Sequence, residues 1–336
     1  MNLKNRNFVT INDWKKEELE FLIDKAIKLK KSGYRSKLLK DKVLGMVFFN
    51  SSLRTRTSLQ AGMYKLGGYA IDLNIGKGVW DLEHKEGIVM DGIAAEHVKD
   101  AAKVLSKYCN AIGVRKFPDM KNWEEDKKDS VIKSFAKYSD VPVINLEGAM
   151  EHPCQALADI MTIKEHFKDL KGKKLLLTWA YHPKSLPMAV GNSIALAASK
   201  FGMDIAIACP LKFKLDDSVL KIIKDNCSYN KSNFEMLHGQ DEAYKNTDVV
   251  YAKSWGSIPF YGNPDEEMKL KQNLKNWIVD SRKMKLTKNA KFMHCLPLRR
   301  NIEATDEVID SSNSIIYQEA ENRLHAQNSL LSEVIG

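Results

Sequence analysis

Along the chain, short apolar runs of strand length alternate with longer stretches whose apolar residues recur at helical spacing. Residues 12–32 turn Trp14, Leu19, Leu22, Ile23, Ala26, Ile27 and Leu29 toward one face, with Asn12 as the expected cap, and so predict a helix. The run VLGMVFF (43–49) predicts a strand that ends in the polar turn Asn50-Ser51-Ser52. A helix follows in RTRTSLQAGMYK and stops at Gly67-Gly68. Strands are expected at 69–74, 111–114 and 142–146, with helices at 96–108 and 126–138. The second half repeats the rhythm, with strands at 173–179, 203–210, 248–252, 276–280 and 291–296 and helices at 188–202 and 215–226. Alternating strand and helix predicts parallel sheets covered by helices, an α/β class with two doubly wound domains. The stretch EHPCQALADIMTIKEHF (151–167) is apolar at helical spacing and is expected to link them. The domains are placed at 1–150 and 151–316, with a last helix near 317–336 packing back on the first.

Composition narrows the class without changing this picture. The 336 residues suffice for two cores, and 44% hydrophobic with 28% charged residues is ordinary for a globular protein. The net charge is +9, but lysine is scattered rather than gathered into a stripe with interleaved aromatics. That argues against a nucleic-acid partner and favours small anions. No apolar run approaches the ~20 residues of a membrane helix, and the N-terminus lacks a secretory apolar core, so a cytoplasmic protein without a membrane partner is expected. Cys109, Cys154, Cys209, Cys227 and Cys295 are odd in number and contain no CxxC pair, against both a disulfide framework and a zinc site.

The candidate chemistry lies where parallel sheets bind ligands, beyond the C-terminal ends of strands. Three segments rich in anion donors fall there: SSLRTRT after the 43–49 run, HPCQ after 142–146, and HCLPLRR after 291–293. In the first, two arginines and four hydroxyl residues meet the positive end of a helix, where unpaired N–H groups point outward. Arg54 can grip a phosphate bidentately. Neither G-x-x-x-x-G-K-[ST] nor G-x-G-x-x-G occurs, so nucleotide hydrolysis and dinucleotide binding lack their usual signatures.

Together, Ser52-Leu53-Arg54-Thr55-Arg56-Thr57, His152-Pro153-Cys154-Gln155 and His294-Cys295-Leu296-Pro297 resemble the motifs of the aspartate/ornithine carbamoyltransferase superfamily, in order and spacing across nearly the whole chain. The resemblance implies transfer of a carbamoyl group from carbamoyl phosphate to an amine, with no metal and no organic cofactor. It makes residues 1–150 the carbamoyl phosphate domain and 151–316 the amine-substrate domain. It assigns carbamoyl phosphate to Ser52, Leu53, Arg54, Thr55, Trp80, Arg115, His152, Pro153, Cys154, Gln155, Cys295, Leu296 and Arg323. Arg115, His152 and Cys295 are the implied catalytic residues, the first two as donors to the carbamoyl oxygen.

Within the superfamily, TWAYHPKSLP (178–187), YAKSWG (251–256) and HCLPLRRN (294–301) are similar to the N-acetylornithine and N-succinylornithine branch. The Ser-Met-Gly loop of ordinary ornithine enzymes is replaced by Ala252-Lys253-Ser254-Trp255-Gly256. A lysine there would repel a free α-ammonium and accept an acylated, neutral one. The implied acylornithine contacts are Glu147, His182, Lys253, Leu296 and Arg299. Ala95 stands where acetyl-type enzymes carry glutamate and succinyl-type enzymes proline, so it is the specificity position. Glu303 stands where some acetyl-type enzymes have a lysine that can be carboxylated. The texture of GSIPFYGN (256–263) is closer to the acetyl type, and acetylornithine is the reading taken. Succinylornithine is the first alternative; ordinary ornithine and a non-catalytic anion-binding relative follow. The resemblance also implies a homotrimer, with Trp80 entering the neighbouring subunit's site. It further implies a trefoil knot in the second domain, in which the 182–187 loop encloses the segment from Lys253.

Overall fold

The computed structural model describes residues 1–34 and 37–336. The chain divides into two compact units, residues 1–118, 124–158 and 323–336 in the first and residues 119–123 and 159–322 in the second. Among the described residues no helix is long and apolar enough to cross a membrane.

The first half of the chain runs through α1 (Lys16–Ser32), β1 (Val43–Phe48), α2 (Arg54–Lys65), β2 (Tyr69–Asn74), β3 (Leu82–Glu83) and β4 (Glu96–His97). It continues with α3 (Val98–Tyr108), β5 (Ala111–Arg115), α4 (Trp123–Asp126), α5 (Ser130–Tyr138) and β6 (Val143–Glu147). The first unit's sheet is wholly parallel, in the order β2-β1-β5-β6. Central β1, VLGMVF, is buried on both faces and reads as a continuous apolar run, whereas edge strand β2, YAIDLN, is half open to solvent. The connections leave β1 in opposite directions, toward β2 and toward β5, and in such sheets the crevice at the C-terminal strand ends is where ligands bind. Gly113 in β5 serves this packing: a Cβ there would lie 2.7 Å from the Leu146 side chain of β6.

The second half runs through α6 (Pro153–Phe167), β7 (Lys174–Trp179), α7 (Ala189–Lys200), β8 (Asp204–Ala208), α8 (Asp217–Asn230) and β9 (Phe234–Leu237). Then come α9 (Gln240–Tyr244), β10 (Val249–Lys253), α10 (Pro264–Lys271), α11 (Ser281–Met284), β11 (Lys291–Met293), α12 (Asp306–Ile309) and α13 (Ile316–Val334). The second unit's sheet is also parallel, in the order β11-β10-β7-β8-β9, with its direction change between β7 and β10. Buried from Ala189 to Ser199, α7 explains the nearly all-apolar sequence of that helix. The division between the units falls inside α6 and α13.

Several expectations need correction. The first helix begins at Lys16, not Asn12. Asn12 lies in a single 3-10 turn, and Glu18 accepts the Lys15 N–H at 2.8 Å to start the helix proper. The 96–108 stretch opens with the two-residue β4 before α3, and of the 126–138 stretch only Asp126, the last residue of α4, and Ser130–Tyr138, which is α5, are helical. The apolar run at 276–280 is no strand. Trp277 and Val279 are buried, but the ammonium of Lys283 takes the carbonyls of Asn276 and Ile278 at 2.8 and 2.6 Å, which a ladder would have needed. Strand β11 stops at Met293, and β9 at Phe234–Leu237 is a strand that the apolar pattern does not predict.

Candidate active site

In the first unit the predicted residues converge at the ends of β1, β5 and β6. Helix α2 opens with Leu53 as its N-cap and has no side-chain cap hydrogen bond. Leu53 is exposed, Ser52 and Arg54 are half-buried, and Thr55 is buried. The Thr55 hydroxyl accepts from Arg323 Nη2 at 3.0 Å and from Arg115 Nη1 at 3.4 Å. Arg323 Nη1 donates to Gln155 Oε1 at 2.6 Å. Arg115, last residue of β5, donates to the Leu146 carbonyl at 3.3 Å and pairs with Glu147 at 2.7 Å, while its Nε is buried with no hydrogen-bond partner.

His152 lies just before α6 with its Nε2 3.7 Å from Glu147, beyond a hydrogen bond. Burial, then the charges of Arg323 and Arg115, holds its pKa well below the ordinary histidine value. A neutral imidazole in that position can donate one hydrogen bond without adding a charge. Glu147 sits at a register shift between β5 and β6 with φ of 139°, a region that non-glycine residues avoid at a cost of about 1–3 kcal/mol. Asn145 Oδ1, accepting the Glu147 N–H at 2.9 Å, and the Arg115 ion pair hold it there.

Three residues fall differently from their motif neighbours. Arg56 turns from the turn to pair with Asp72, donates to Asn74 at 2.8 Å and covers the Phe48 ring, tying α2 to β2. Pro153 opens α6. Cys154 is buried with its Sγ 3.6 Å from the Asn145 carbonyl, and burial pushes its thiol up to about 12, so its side chain is part of the packing. Trp80 is exposed and donates to Glu96 at 2.7 Å; Ala95, beside Glu96, is exposed as well.

In the second unit the predicted residues sit at the ends of β7, β10 and β11. His182, in the segment after β7, accepts from Arg299 Nε at 3.0 Å through its Nε2. Burial, outweighing the raising effect of Glu303, lowers the His182 pKa. Lys253 ends β10, and its ammonium donates to the Ser254 carbonyl at 2.9 Å. Beyond β11, Cys295 is half-buried and Leu296 adopts φ of 55°. Glu303 accepts from the Arg299 N–H at 2.8 Å and lies 3.4 Å from His294 Nε2. Burial raises the Glu303 pKa, but the hydrogen bond from His294, the charge of Lys253 and the Arg299 N–H prevail and hold it below the usual carboxylate range. The glutamate is thus a fixed negative charge.

The motif reading names His294 without giving it a role, and it contains neither of the buried carboxylates beneath it. Glu319 accepts the His294 N–H at 3.0 Å and the Tyr251 hydroxyl at 3.2 Å, and it hydrogen-bonds Asp159. An acidic residue at an apolar helical position was the one available signal.

Comparisons with known proteins agree with this geometry. Residues 6–165 match the carbamoyl-P binding domain of aspartate/ornithine carbamoyltransferase, and residues 188–334 match its Asp/Orn binding domain. The chain is 46% identical to the N-acetylornithine carbamoyltransferase of Xanthomonas campestris pv. campestris, over 98% of each protein. It is similar to a crystal structure of acetylornithine transcarbamylase complexed with acetylcitrulline, at a TM-score of 0.97 and 46% identity, covering 98% of this chain and 99% of that one. A glutamate-to-alanine mutant of N-acetyl-L-ornithine transcarbamylase, complexed with carbamyl phosphate and N-succinyl-L-norvaline, matches at a TM-score of 0.96 and 46% identity, covering 98% and 100%.

Proposed function

Because this chain belongs to the aspartate/ornithine carbamoyltransferase family, we propose that it transfers the carbamoyl group of carbamoyl phosphate to the side-chain amine of N-acetylornithine. The observation that carries this reading is the buried set of Thr55, Arg115, His152, Gln155 and Arg323, which gathers anion and carbonyl donors around one turn.

In this reading the phosphate sits on Ser52, the Leu53 N–H, Arg54 and Thr55, with Arg323 joining from α13. The carbamoyl oxygen takes hydrogen bonds from Arg115 and neutral His152. It becomes an alkoxide in the tetrahedral transition state, so donors already in place lower the barrier. Gln155, oriented by Arg323, keeps a second lone pair for the carbamoyl amide. Cys295 and the Leu296 carbonyl orient the attacking amine, and Glu147, His182, Lys253 and Arg299 receive the rest of the acylornithine. The carbon–nitrogen bond forms as the carbon–oxygen bond to phosphate breaks, and the departing phosphate accepts the amine proton. On this basis 1–150 is the carbamoyl phosphate domain and 151–316 the acylornithine domain, the helix near 317–336 belonging with the first.

One observation favours N-succinylornithine as a second substrate. Ala95 is small, uncharged and exposed at the position assigned to acyl choice. The alanine mutant crystallised with N-succinyl-L-norvaline supports treating such a position as permissive. Exposed Trp80, with Ile88, Val89, Met90 and Ile93 beyond it, supports a homotrimer in which this segment meets a neighbouring copy. The Gly256 N–H donating to the Leu186 carbonyl at 2.9 Å supports the knotted path, since it joins the two segments the knot requires.

Turnover of carbamoyl phosphate with ornithine, N-acetylornithine and N-succinylornithine in parallel tests the reading. The expected order is acetyl, then succinyl, with ornithine inactive. Activity on ornithine alone would remove the acyl assignment, and no activity on any would remove the function. Light scattering of the active protein tests the trimer; an active monomer would exclude it.

A further inference from the structure

Beneath the Cys295–Leu296 turn lies a continuous set of hydrogen bonds within the second unit. The His294 ring makes two contacts of opposite kind. Its Nδ1 accepts the Leu296 N–H at 2.9 Å, so the proton of the neutral ring is on Nε2, which faces Glu303 at 3.4 Å. The Nδ1 contact, from a side chain to the N–H two residues on, is the bond an asparagine makes in an Asx turn. It holds Leu296 at φ of 55°, a conformation a leucine adopts only when its surroundings enforce it. The Nε2 contact ties the same ring to Glu303, whose other oxygen accepts the Arg299 N–H at 2.8 Å.

The backbone of His294 is fixed from the other side. Its N–H donates to Glu319 Oε2 at 3.0 Å, and Glu319 is paired with Asp159 of α6 and takes the Tyr251 hydroxyl of β10 at 3.2 Å. His294, Asp159, Glu319 and Tyr251 are all buried. Two carboxyls in contact and away from water share a proton, because both cannot ionise there. The shared proton leaves Glu319 an acceptor for two further donors without an uncompensated charge. This arrangement demands more buried polar groups than packing requires, and three of its bonds, from Glu319, Glu303 and Leu296, end on His294.

We propose that His294 is a positioning residue for the carbamoyl transfer. Its Nδ1 sets the Leu296 backbone that orients the amine, and Glu319 with Asp159 holds His294 in place. The inference rests on the reading that Cys295 and Leu296 handle the amine, and it adds a division of labour between the two ring nitrogens. Nδ1 governs the turn, and Nε2 links the turn to Glu303.

The two nitrogens separate by substitution in the full-length protein. His294→Asn keeps an acceptor at the Nδ1 position and loses the reach to Glu303. His294→Gln keeps the reach and loses the acceptor, and His294→Ala loses both. With N-acetylornithine, His294→Asn is expected to hold kcat within about threefold. His294→Gln and His294→Ala are expected to lower it by about 10–100-fold, the scale of an ångström of misplacement. Hydrogen exchange of the Leu296 amide should be slow in wild type and His294→Asn and fast in the other two. Equal loss of kcat in the Asn and Gln variants, or Leu296 protection surviving in His294→Ala, would overturn the proposal. Exchange in β7 and β10 identifies any variant that has lost its fold, and the Asn–Gln difference at Leu296 then decides. If the wild type carbamoylates none of the three amines, the functional reading falls, while Leu296 exchange still decides whether His294 sets the turn.

Discussion

The two units carry their candidate residues on opposite electrostatic plans. In the first unit Arg115, Arg323 and neutral His152 gather where Glu147 is the adjoining carboxylate, and the donors bond one another through Thr55 and Gln155. In the second unit Lys253 and Arg299 are balanced by the buried Glu303, and a second pair of buried carboxyls, Asp159 and Glu319, lies beneath the turn. The difference follows the ligands. A phosphate leaving group and a developing alkoxide call for concentrated positive charge. An acylated amino acid presents an amide, a carboxylate and an amine, and no single sign of charge suits all three. The first unit's donors are hydrogen-bonded among themselves, and the second unit's candidate residues sit on segments that include the left-handed Leu296.

The largest effect should come from the positive cluster. Arg115→Ala and Arg54→Ala are each expected to lower kcat/KM by about 10²–10³, the scale of one preorganised donor. Steady-state kinetics with varied carbamoyl phosphate checks this. Adding His152→Ala to Arg115→Ala should cost less than the product of the single effects, because the two act on one oxygen. Full additivity would break the picture of a joined cluster.

The next concerns stability near the same unit. Glu151 accepts from Thr10 and, at 2.9 Å, from the Ile11 N–H; burial raises its pKa from 4.5 to about 7. A carboxyl raised on folding keeps its proton where the unfolded chain has lost it. Its contribution is therefore full below about pH 4.5 and declines as pH rises to about 7. The decline amounts to about 3 kcal/mol. Urea unfolding at pH 5 and pH 8 should show that loss in wild type and a flatter profile in Glu151→Gln. Equal pH dependence in the two would remove Glu151 from the account.

A smaller effect separates the acyl groups. Ala95→Glu should leave N-acetylornithine turnover nearly intact and depress N-succinylornithine turnover. Two carboxylates about 4 Å apart in water repel by about 1 kcal/mol, or roughly fivefold in kcat/KM. Equal changes for both substrates would move the choice to His182 and Arg299.

The smallest test sharpens the boundary of the first half. Arg56 shares a motif with Arg54 yet pairs with Asp72 and Asn74. Arg56→Ala should cost about 1 kcal/mol of stability and leave KM for carbamoyl phosphate unchanged. A raised KM would return Arg56 to the phosphate turn.

Read by itself, the sequence determined the α/β class, most strands of both sheets and the three polar segments beyond β1, β6 and β11. Parallel strands buried on both faces are continuous apolar runs, and the turns that follow them must be polar, so both signals are local. It also carried the family, because three short motifs in fixed order survive without knowledge of contacts. What a run of residues pairs with is not local. The 276–280 run has the apolar content of a strand, yet Lys283 takes the carbonyls of Asn276 and Ile278 and Val279 makes only an isolated bridge with Ala304. Arg54 and Arg56 are indistinguishable in the motif, and the helix geometry turns one from the other by two residues' rotation. Glu147 against Arg115, Arg299 against His182, and Glu319 beneath His294 join residues separated by 32, 117 and 25 positions. Such pairs exist only once the chain has brought distant strand ends together, since a hydrogen bond requires atoms about 3 Å apart and the sequence specifies order, not distance.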